Sequence, residues 1–226
     1  MKILSLLSYV SRISLFKTIR FNVHYFGLKN GLKLPVLVSK NYILHTLKGS
    51  VHIESPSFHQ ITLGFGGVGI FDQKYDRGIW QNSGDVYFNG CASFGHGSKI
   101  SNGGTLVIGN NFSNTAKSEI VCQDKVTFGD NVLISWDCLI MDTDFHSILN
   151  NSEKTLNLNK EINVGNHVWI GCRSLILKGV SIPDDCIIAA NSTITKSFSD
   201  SNLLIGGVNN ILKTGVSWNG TFPSQK

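Results

Sequence analysis

The sequence predicts an all-β fold, a parallel β-helix, from its composition and from two nested repeats. Of its 226 residues, 42% are hydrophobic, only 15% are charged, and 23 are Gly against 4 Pro. Such a chain has enough apolar residues for a core and enough Gly for many turns, and its low charge argues against intrinsic disorder. The repeats then indicate how the strands are stacked.

The longer repeat is a segment that returns every 20 residues. Segments beginning at Val86, Leu106 and Val126 start 20 residues apart, and a fourth begins at Ile162, 36 residues after the third. The last three share the pattern apolar-x-apolar-Gly-(Asn/Asp)-x-apolar. The last spacing is one repeat of 20 plus 16 residues, which predicts an insertion.

The shorter repeat is an apolar residue at every sixth position. Its members are Phe88, Phe94, Ile100, Leu106, then Phe128, Ile134, Ile140, then Val164, Ile170, Ile176, Ile182, Ile188 and Ile194. A helix does not repeat at six, whereas a short strand followed by a tight turn does. Three such units, about 18 residues in total, close one coil. We expect these side chains to point inward, and the Gly, Asn and Asp that follow them to supply turns with positive φ.

The period breaks after Ile140, and a loop of residues 141–161 leaves the stack. It begins with Asp142 and Asp144 and includes His146. Loops on rigid scaffolds often carry function, and an imidazole near a carboxylate can act as a general base. From the spacing alone, a histidine that merely caps a turn is an equal alternative.

The other chemical signals are weak. The net charge of +5 is compatible with an anionic partner such as a phosphorylated cofactor and, equally, with a solvated surface that binds no particular partner, and no Lys/Arg cluster indicates nucleic acid. Five cysteines, an odd number without CxxC spacing, argue against a zinc site or a disulfide framework and favour a reducing cytoplasm.

The N-terminal residues are expected to cover the open end of the coil. Residues 1–16 have apolar positions at helical spacing, so we predict an amphipathic helix that packs on the domain or contacts a membrane surface peripherally. We assign residues 1–50 to a helical and extended cap, residues 51–212 to the β-helix, and residues 213–226 to a C-terminal tail.

Three segments resemble the hexapeptide-repeat acyltransferases, especially the maltose and galactoside O-acetyltransferases and their capsule and lipopolysaccharide relatives. They read DTDFH, VGNHVWIGCRSLILKGVSIPDDCIIAANSTITKS and IGGVNNILK, within about residues 86–213. The resemblance implies a left-handed coil, a homotrimer and active sites between adjacent subunits. It also implies that His146 takes a proton from an acceptor hydroxyl that attacks acetyl-CoA, with Asp142 or Asp144 orienting the ring.

The resemblance further implies where the cofactor acetyl-CoA lies. Trp169 and Cys172 match positions that flank the pantetheine arm, and Ala190 matches a small residue that lets the arm approach the backbone. Thr195, Lys196 and Lys213 match positions that meet the nucleotide end and its phosphates. These six residues are our candidate cofactor site.

The sequence departs from the family at several positions. The usual Gly-Asn-Pro-Ala-Lys turn near the end is replaced by residues 206–210, GGVNN, which changes the predicted cofactor contacts. The acceptor-binding Asn and Asp of the galactoside enzymes fall at about Thr115 and Gln123, so we assign this role to the adjacent Asn114 and Asp124. The acceptor is therefore expected to differ from a simple β-galactoside.

The sequence thus predicts an acetyl-CoA-dependent O-acetyltransferase of a sugar hydroxyl in capsular or surface polysaccharide synthesis, cytoplasmic or at the inner face of the membrane. N-acetylation of an amino sugar or nucleotide-linked amine, and a binding or scaffold protein without catalysis, are the alternatives. A zinc β-helix of the carbonic anhydrase kind would need His96, His146 and His167 to converge without an H-x4-H pair, so we expect no metal.

Overall fold

The structure, a computed structural model, describes residues 9–220. From residue 36 onward the chain winds into stacked coils whose strands form three parallel sheets of nine, seven and six strands. We call them the first, second and third face, in the order in which each coil visits them. This confirms the predicted left-handed parallel β-helix.

The elements follow one another along the chain with one helix before the strands. They are α1 (Leu15–Gly31), β1 (Val36–Val38), β2 (Tyr42–Leu47), β3 (Ser50–Ile53), β4 (Ile61–Phe65), β5 (Gly78–Asn82), β6 (Asp85–Phe88), β7 (Ala92–Gly95), β8 (Lys99–Asn102), β9 (Thr105–Ile108), β10 (Phe112–Ala116) and β11 (Glu119–Cys122). The later strands are β12 (Lys125–Phe128), β13 (Leu133–Trp136), β14 (Leu139–Met141), β15 (Ile162–Val164), β16 (Trp169–Ile170), β17 (Leu175–Leu177), β18 (Ser181–Ile182), β19 (Ile187–Ile188), β20 (Thr193–Ile194), β21 (Leu203–Gly206) and β22 (Asn210–Thr214). Only β22 runs antiparallel to its neighbour, β21, among the described strands.

The core is a column of ladders in which equivalent residues of successive coils stack. On the second face Ile100, Ile120, Ile140 and Ile176 are register partners in turn. Every residue of the six-residue period is at most 3% exposed, which confirms the inward assignment. Burial of this continuous aliphatic column is the main force that holds the coils together.

The Gly-(Asn/Asp) pairs lie at the corners between the third and first faces. The positive φ predicted for the Gly, Asn or Asp of these pairs falls on the next residue instead. A Cβ on Gly129 would lie 2.6 Å from Asn166 Oδ1, so the Gly allows close stacking of coils. The positive φ lies two residues later, at Asn131 (58°). The Asn or Asp between them accepts a hydrogen bond from the coil before, as when Asp130 Oδ1 accepts from the amide of Asn110 at 2.7 Å.

Helix α1 covers the open edge of β1. The Asn22 side chain accepts from the amide of Val36 (3.0 Å) and donates to its carbonyl (2.6 Å), and Thr18 Oγ1 accepts from the amide of Val38 (3.0 Å). The side chains of Asn22 and Thr18 thus make the hydrogen bonds that a further strand would make to β1, which prevents edge-to-edge association. Phe21 packs edge-on against Trp80 inside the first coils, with centroids 5.1 Å apart.

The coil stack begins earlier than its predicted start at residue 51, since β1 and β2 already belong to the first and second faces. The connection at residues 54–60 and a loop at residues 66–77 interrupt the period there and hide it in the sequence. At the other end β22 crosses the predicted boundary at residues 212 and 213. Most of the predicted helix over residues 1–16 lies outside the described residues, although residues 9–11 are helical.

Two loops therefore leave the stack, at residues 66–77 between β4 and β5 and at residues 142–161 between β14 and β15. The second is the predicted insertion with His146. Within residues 9–220, no helix has both the length and the apolar character needed to cross a membrane.

Candidate functional site

The loop at residues 142–161 forms a cleft of about 340 Å³ at the corner between the second and third faces. Its walls include Asp144, His146, Asn157 and Leu158 from the loop and Gln123 from the preceding coil. The cleft therefore lies between a loop and the wall of the β-helix, a common location for function.

His146 lies on the wall of this cleft with an exposed side chain. Its backbone is fixed on both sides, since its amide donates to the carbonyl of Asp144 (2.6 Å) and its carbonyl accepts from Asn157 Nδ2 (2.9 Å). The preceding residue, Phe145, has a φ of 58°, a left-handed conformation that is unusual for a bulky side chain. The imidazole makes no hydrogen bond to any of residues 9–220, so both ring nitrogens remain available to a ligand.

Asp144 holds the loop in place through its carboxylate. Its Oδ2 atom accepts from Lys178 Nζ at 2.5 Å and from Asn157 Nδ2 at 2.7 Å. The hydrogen bond from Lys178, and to a smaller extent that from Asn157, lowers the pKa of Asp144 below its ordinary value. Asp144 therefore acts on the backbone around His146 through Asn157, whereas the prediction had placed its carboxylate against the imidazole.

Asp142 has partners other than the predicted one. It is fully buried, and its two carboxylate oxygens accept from the backbone amides of Gln123 (2.7 Å) and Asp124 (2.9 Å). The carboxylate thus closes a turn of the preceding coil, and it does not line the cleft. Its role in the described structure is to fix the start of the loop.

The two predicted acceptor-binding residues need correction. Asn114 is 1% exposed and points into the coil between Phe94 and Ile134, so it cannot reach a sugar outside. Asp124 is exposed in a turn but does not line the cleft. The neighbour Gln123, in the bend that follows β11, does line it.

The predicted cofactor residues lie on the last coils, at two places. Trp169 is 37% exposed on the first face and donates from Nε1 to Ser135 Oγ (3.1 Å). Cys172 and Ala190 stack at the corner between the first and second faces, where the carbonyl of Cys172 accepts from the next coil. This corner and the corner with His146 are separated by the second face of the same chain.

Thr195, Lys196 and Lys213 are exposed near the C-terminal end of the stack. Asn209 Oδ1 accepts from the amides of Thr195 (2.8 Å) and Lys196 (3.3 Å), and Asn209 Nδ2 donates to Thr195 Oγ1 (2.7 Å). Asn209, with a φ of 58°, thus fixes the turn that lacks the family's Pro. None of the six predicted cofactor residues lines the His146 cleft.

Three residues with structural roles near the candidate sites, Asn157, Lys178 and Trp218, are not predicted by the sequence patterns. Asn157 and Lys178 tie the loop to the coil, and Trp218 stacks on His167 with centroids 4.6 Å apart and donates to its carbonyl (2.8 Å). No periodic signal marks these residues. Within residues 9–220, no group of three His, Cys, Asp or Glu side chains is arranged to hold a metal ion.

A comparison with known protein families identifies the six-residue repeat as well. Residues 161–196 match the family described as bacterial transferase hexapeptide (six repeats). Residues 161–196 therefore carry hexapeptide repeats of the kind found in bacterial transferases. The resemblance to the hexapeptide-repeat acyltransferases that the motifs predict is confirmed.

Two curated relatives show what the repeat region is similar to. The galactoside O-acetyltransferase of Escherichia coli (strain K12) is 36% identical over 112 residues, 48% of this chain and 53% of that protein. The polysialic acid O-acetyltransferase of Escherichia coli O1:K1 / APEC is 29% identical over 118 residues, 51% of this chain and 38% of that protein. The chain therefore spans about half or less of the length of these relatives.

Two solved structures share the fold. The polysialic-acid-specific acetyltransferase NeuO has a TM-score of 0.53 and 22% identity, over 84% of this chain and 87% of that chain. The polysialic acid O-acetyltransferase OatWY has a TM-score of 0.50 and 20% identity, over 82% and 94% of the two chains. At these identities the likeness establishes the β-helix.

Proposed function

We propose that this protein is an acetyl-CoA-dependent O-acetyltransferase that acts on a hydroxyl group of a sugar. The observation that carries the proposal is the position of His146 on the wall of an open cleft, with a fixed backbone and a ring free of partners in residues 9–220. An exposed imidazole held in this way can act as a general base. The names of both curated relatives support transfer of an acyl group to oxygen.

In the proposed reaction a ring nitrogen of His146 takes the proton of the acceptor hydroxyl. The hydroxyl oxygen attacks the carbonyl carbon of the acetyl thioester, and the C–S bond then breaks. The proton held by His146 passes to the leaving thiolate, so the products are the acetyl ester and the thiol of CoA. General-base assistance of this kind contributes roughly 10² to 10⁴ in rate.

We assign the co-substrate to the last coils. Trp169, Cys172 and Ala190 flank the pantetheine arm, and the small side chain of Ala190 at an exposed corner allows the arm to approach the backbone. Thr195 provides a hydroxyl, and Lys196 and Lys213 provide two ammonium groups, for the phosphates. On the acceptor side Gln123 takes the role that the sequence analysis gave to Asn114 and Asp124.

We further propose that the functional unit is a homotrimer. The loop exposes large apolar side chains, among them Phe145 (64%), Leu156 (60%) and Leu158 (67%), which a second subunit would cover. The His146 corner and the Cys172 corner of one chain are separated by the second face. Packing of adjacent subunits is what can bring one chain's His146 to another chain's cofactor residues.

The setting we propose is the cytoplasm, in the synthesis of a capsular or surface polysaccharide. Peripheral contact of residues 1–16 with the inner face of the membrane stays a prediction. All five cysteines are free, which suits a reducing compartment.

Calorimetry with acetyl-CoA tests the proposal without knowledge of the acceptor. We expect the wild type to bind acetyl-CoA, Lys196→Ala to bind it more weakly, and Lys33→Ala, an exposed lysine at the other end of the chain, to bind it like the wild type. His146→Ala should retain binding and lose transfer to a panel of sugars by roughly 10² to 10⁴. Absence of acetyl-CoA and CoA binding would favour the scaffold alternative, and transfer only to amino sugars would favour N-acetylation.

A further inference from the structure

A second cleft, of about 310 Å³, lies at the N-terminal end of the coil stack. Its walls come from the segment before α1, the turn after β1, the loop at residues 66–77 and the turn after β7. We call it the loop-66 cleft. It shares no lining residue with the His146 cleft.

Two buried polar side chains of this cleft lack partners within the described chain. His96 is 2% exposed, and neither its Nδ1 nor its Nε2 atom makes a hydrogen bond; Ser39 is also 2% exposed, and its Oγ atom makes none. Buried polar groups in native proteins are nearly always hydrogen-bonded, and unpartnered ones require an explanation. Two of them on the wall of one cleft indicate that the cleft holds a polar ligand.

The charge of the walls indicates the sign of that ligand. Arg12, Lys40 and Lys74 line the cleft, and no acidic side chain of residues 9–220 does. The guanidinium of Arg12 is held at the wall by hydrogen bonds from Nη2 to the carbonyls of Gly66 (3.0 Å) and Gly64 (3.4 Å). The nearby Asp76 is paired with Lys117 outside the cleft, at 3.7 Å.

Burial lowers the pKa of His96, Arg12 and Lys117 lower it further, and the carboxylate of Asp76 acts in the opposite direction. The ring is therefore neutral at pH 7, with one N–H donor and one acceptor. A neutral donor beside three cations suits an oxyanion, because it can donate to an oxygen atom without adding the repulsion of a fourth positive charge.

We propose that the loop-66 cleft is a binding site for the carboxylate or phosphate group of a ligand, recognised by Arg12, Lys40, Lys74 and His96. The planar guanidinium of Arg12 matches both groups, which present two or more oxygens. The cleft has the volume of roughly ten water molecules at about 30 Å³ each, so it accommodates an acidic sugar as well as a free phosphate ion.

A glycine leaves the space that the Ser39 hydroxyl occupies. Gly64 has a φ of 85°, and a Cβ atom there would lie 2.3 Å from Ser39 Oγ. Any other residue would both strain the backbone and displace the hydroxyl. The backbone of Gly64 in β4 therefore lies directly beside the unpartnered oxygen of Ser39.

The test is a titration of the full chain with three probes, inorganic phosphate, glucuronate and glucose, at low salt, followed by calorimetry and by the histidine ring resonances in NMR. The double variant Lys40→Gln/Lys74→Gln removes two exposed charges of the cleft without touching the core. The matched control is the double variant Lys33→Gln/Lys48→Gln, which removes two exposed charges outside the cleft. A His96→Gln variant identifies the resonances of His96.

We expect phosphate or glucuronate to bind and shift the His96 resonances, and glucose to do neither. Binding should weaken roughly tenfold or more in the Lys40/Lys74 variant and remain unchanged in the control. Tighter binding of glucuronate indicates an acidic sugar as the ligand, and tighter binding of phosphate indicates the free ion. Lack of binding by either anion, or binding that leaves His96 unshifted and tolerates the loss of Lys40 and Lys74, overturns the proposal. Because no step requires acetyl transfer, these outcomes are independent of the proposed function.

Discussion

Lys178 and Asp144 form an ion pair that joins the loop to the β-helix. Lys178 Nζ lies 2.5 Å from Asp144 Oδ2 and also donates to the carbonyls of Asn157 (2.9 Å) and Leu158 (3.2 Å). One ammonium group therefore holds both ends of the loop. Through Asn157, this arrangement fixes the backbone of His146.

The first prediction concerns Lys178 as a positioning residue. Lys178→Met keeps the aliphatic stem, removes the ammonium group and releases the loop, so we expect kcat for acetyl transfer to fall about tenfold or more with a smaller change in KM for acetyl-CoA. Steady-state kinetics with both substrates measures this split, and circular dichroism checks that the coil persists.

Lys154→Met is the matched control, since Lys154 lies in the same loop and only its backbone forms hydrogen bonds in the described structure. Lys178→Arg should restore part of the rate by keeping the charge. Equal loss in the Met and Arg variants, or an unchanged kcat in Lys178→Met, would contradict the positioning role.

The second prediction separates Asp142 from Asp144. Asp142→Ala leaves two amides of the preceding turn without their buried acceptor, so we expect the free energy of unfolding to fall by about 2–4 kcal/mol. Asp144→Asn should change the melting temperature little, since the Asp144 carboxylate is exposed, and should reduce kcat in the same way as Lys178→Met. Thermal unfolding at fixed protein concentration and kinetics on both variants measure the contrast. The reverse pattern would return Asp142 to the candidate catalytic residues.

The β-helix could be predicted from the sequence because its core repeats. Ile176 and its equivalents recur at fixed spacing, and every coil imposes the same demand for an inward aliphatic side chain. The same rule places Asn114 inside, 20 residues after Phe94 and 20 before Ile134, although the family correspondence had suggested a surface role. A shift of one residue in a strand moves a side chain to the other side of the sheet.

The loop could be located from the sequence, but its internal contacts could not. The excess of 16 residues marks where the coil is interrupted, whereas the partners of Asp144 depend on how the loop folds back. Asn157 is 13 residues from Asp144 and Lys178 is 34, and neither distance belongs to the repeat. The first coils were missed for a related reason, since the loop at residues 66–77 separates β4 from β5 and breaks the spacing.

The third prediction concerns Asn114. Both polar atoms of its amide are buried without a hydrogen bond among the described residues. Asn114→Leu replaces the amide by an apolar group of similar size in an apolar ladder, so we expect a gain of about 1–3 kcal/mol in the free energy of unfolding. Thermal unfolding measures the gain, and acceptor kinetics should remain unchanged. A raised KM for the acceptor, or a loss of stability, would contradict the inward assignment.

The fourth prediction uses the cysteines to locate the co-substrate. Burial raises the pKa of Cys122 to about 12, with a further contribution from the carboxylate of Asp142, and burial raises that of Cys138 to about 11. Burial also raises the pKa of Cys186. These three thiols are protonated and inaccessible at pH 8, so we expect a thiol reagent to modify only the exposed Cys91 and the half-exposed Cys172 in the native protein.

Acetyl-CoA should then protect one of these two thiols and leave the other reactive. If the pantetheine arm passes Cys172, saturating acetyl-CoA slows its modification several-fold or more, while Cys91, on an earlier coil, reacts at the same rate and serves as the internal control. Mass spectrometry of peptides from a time course gives both rates in one sample. Equal rates at Cys172 with and without a bound ligand would move the pantetheine arm away from this corner, whereas slowing at both sites would indicate a general stabilisation of the coil.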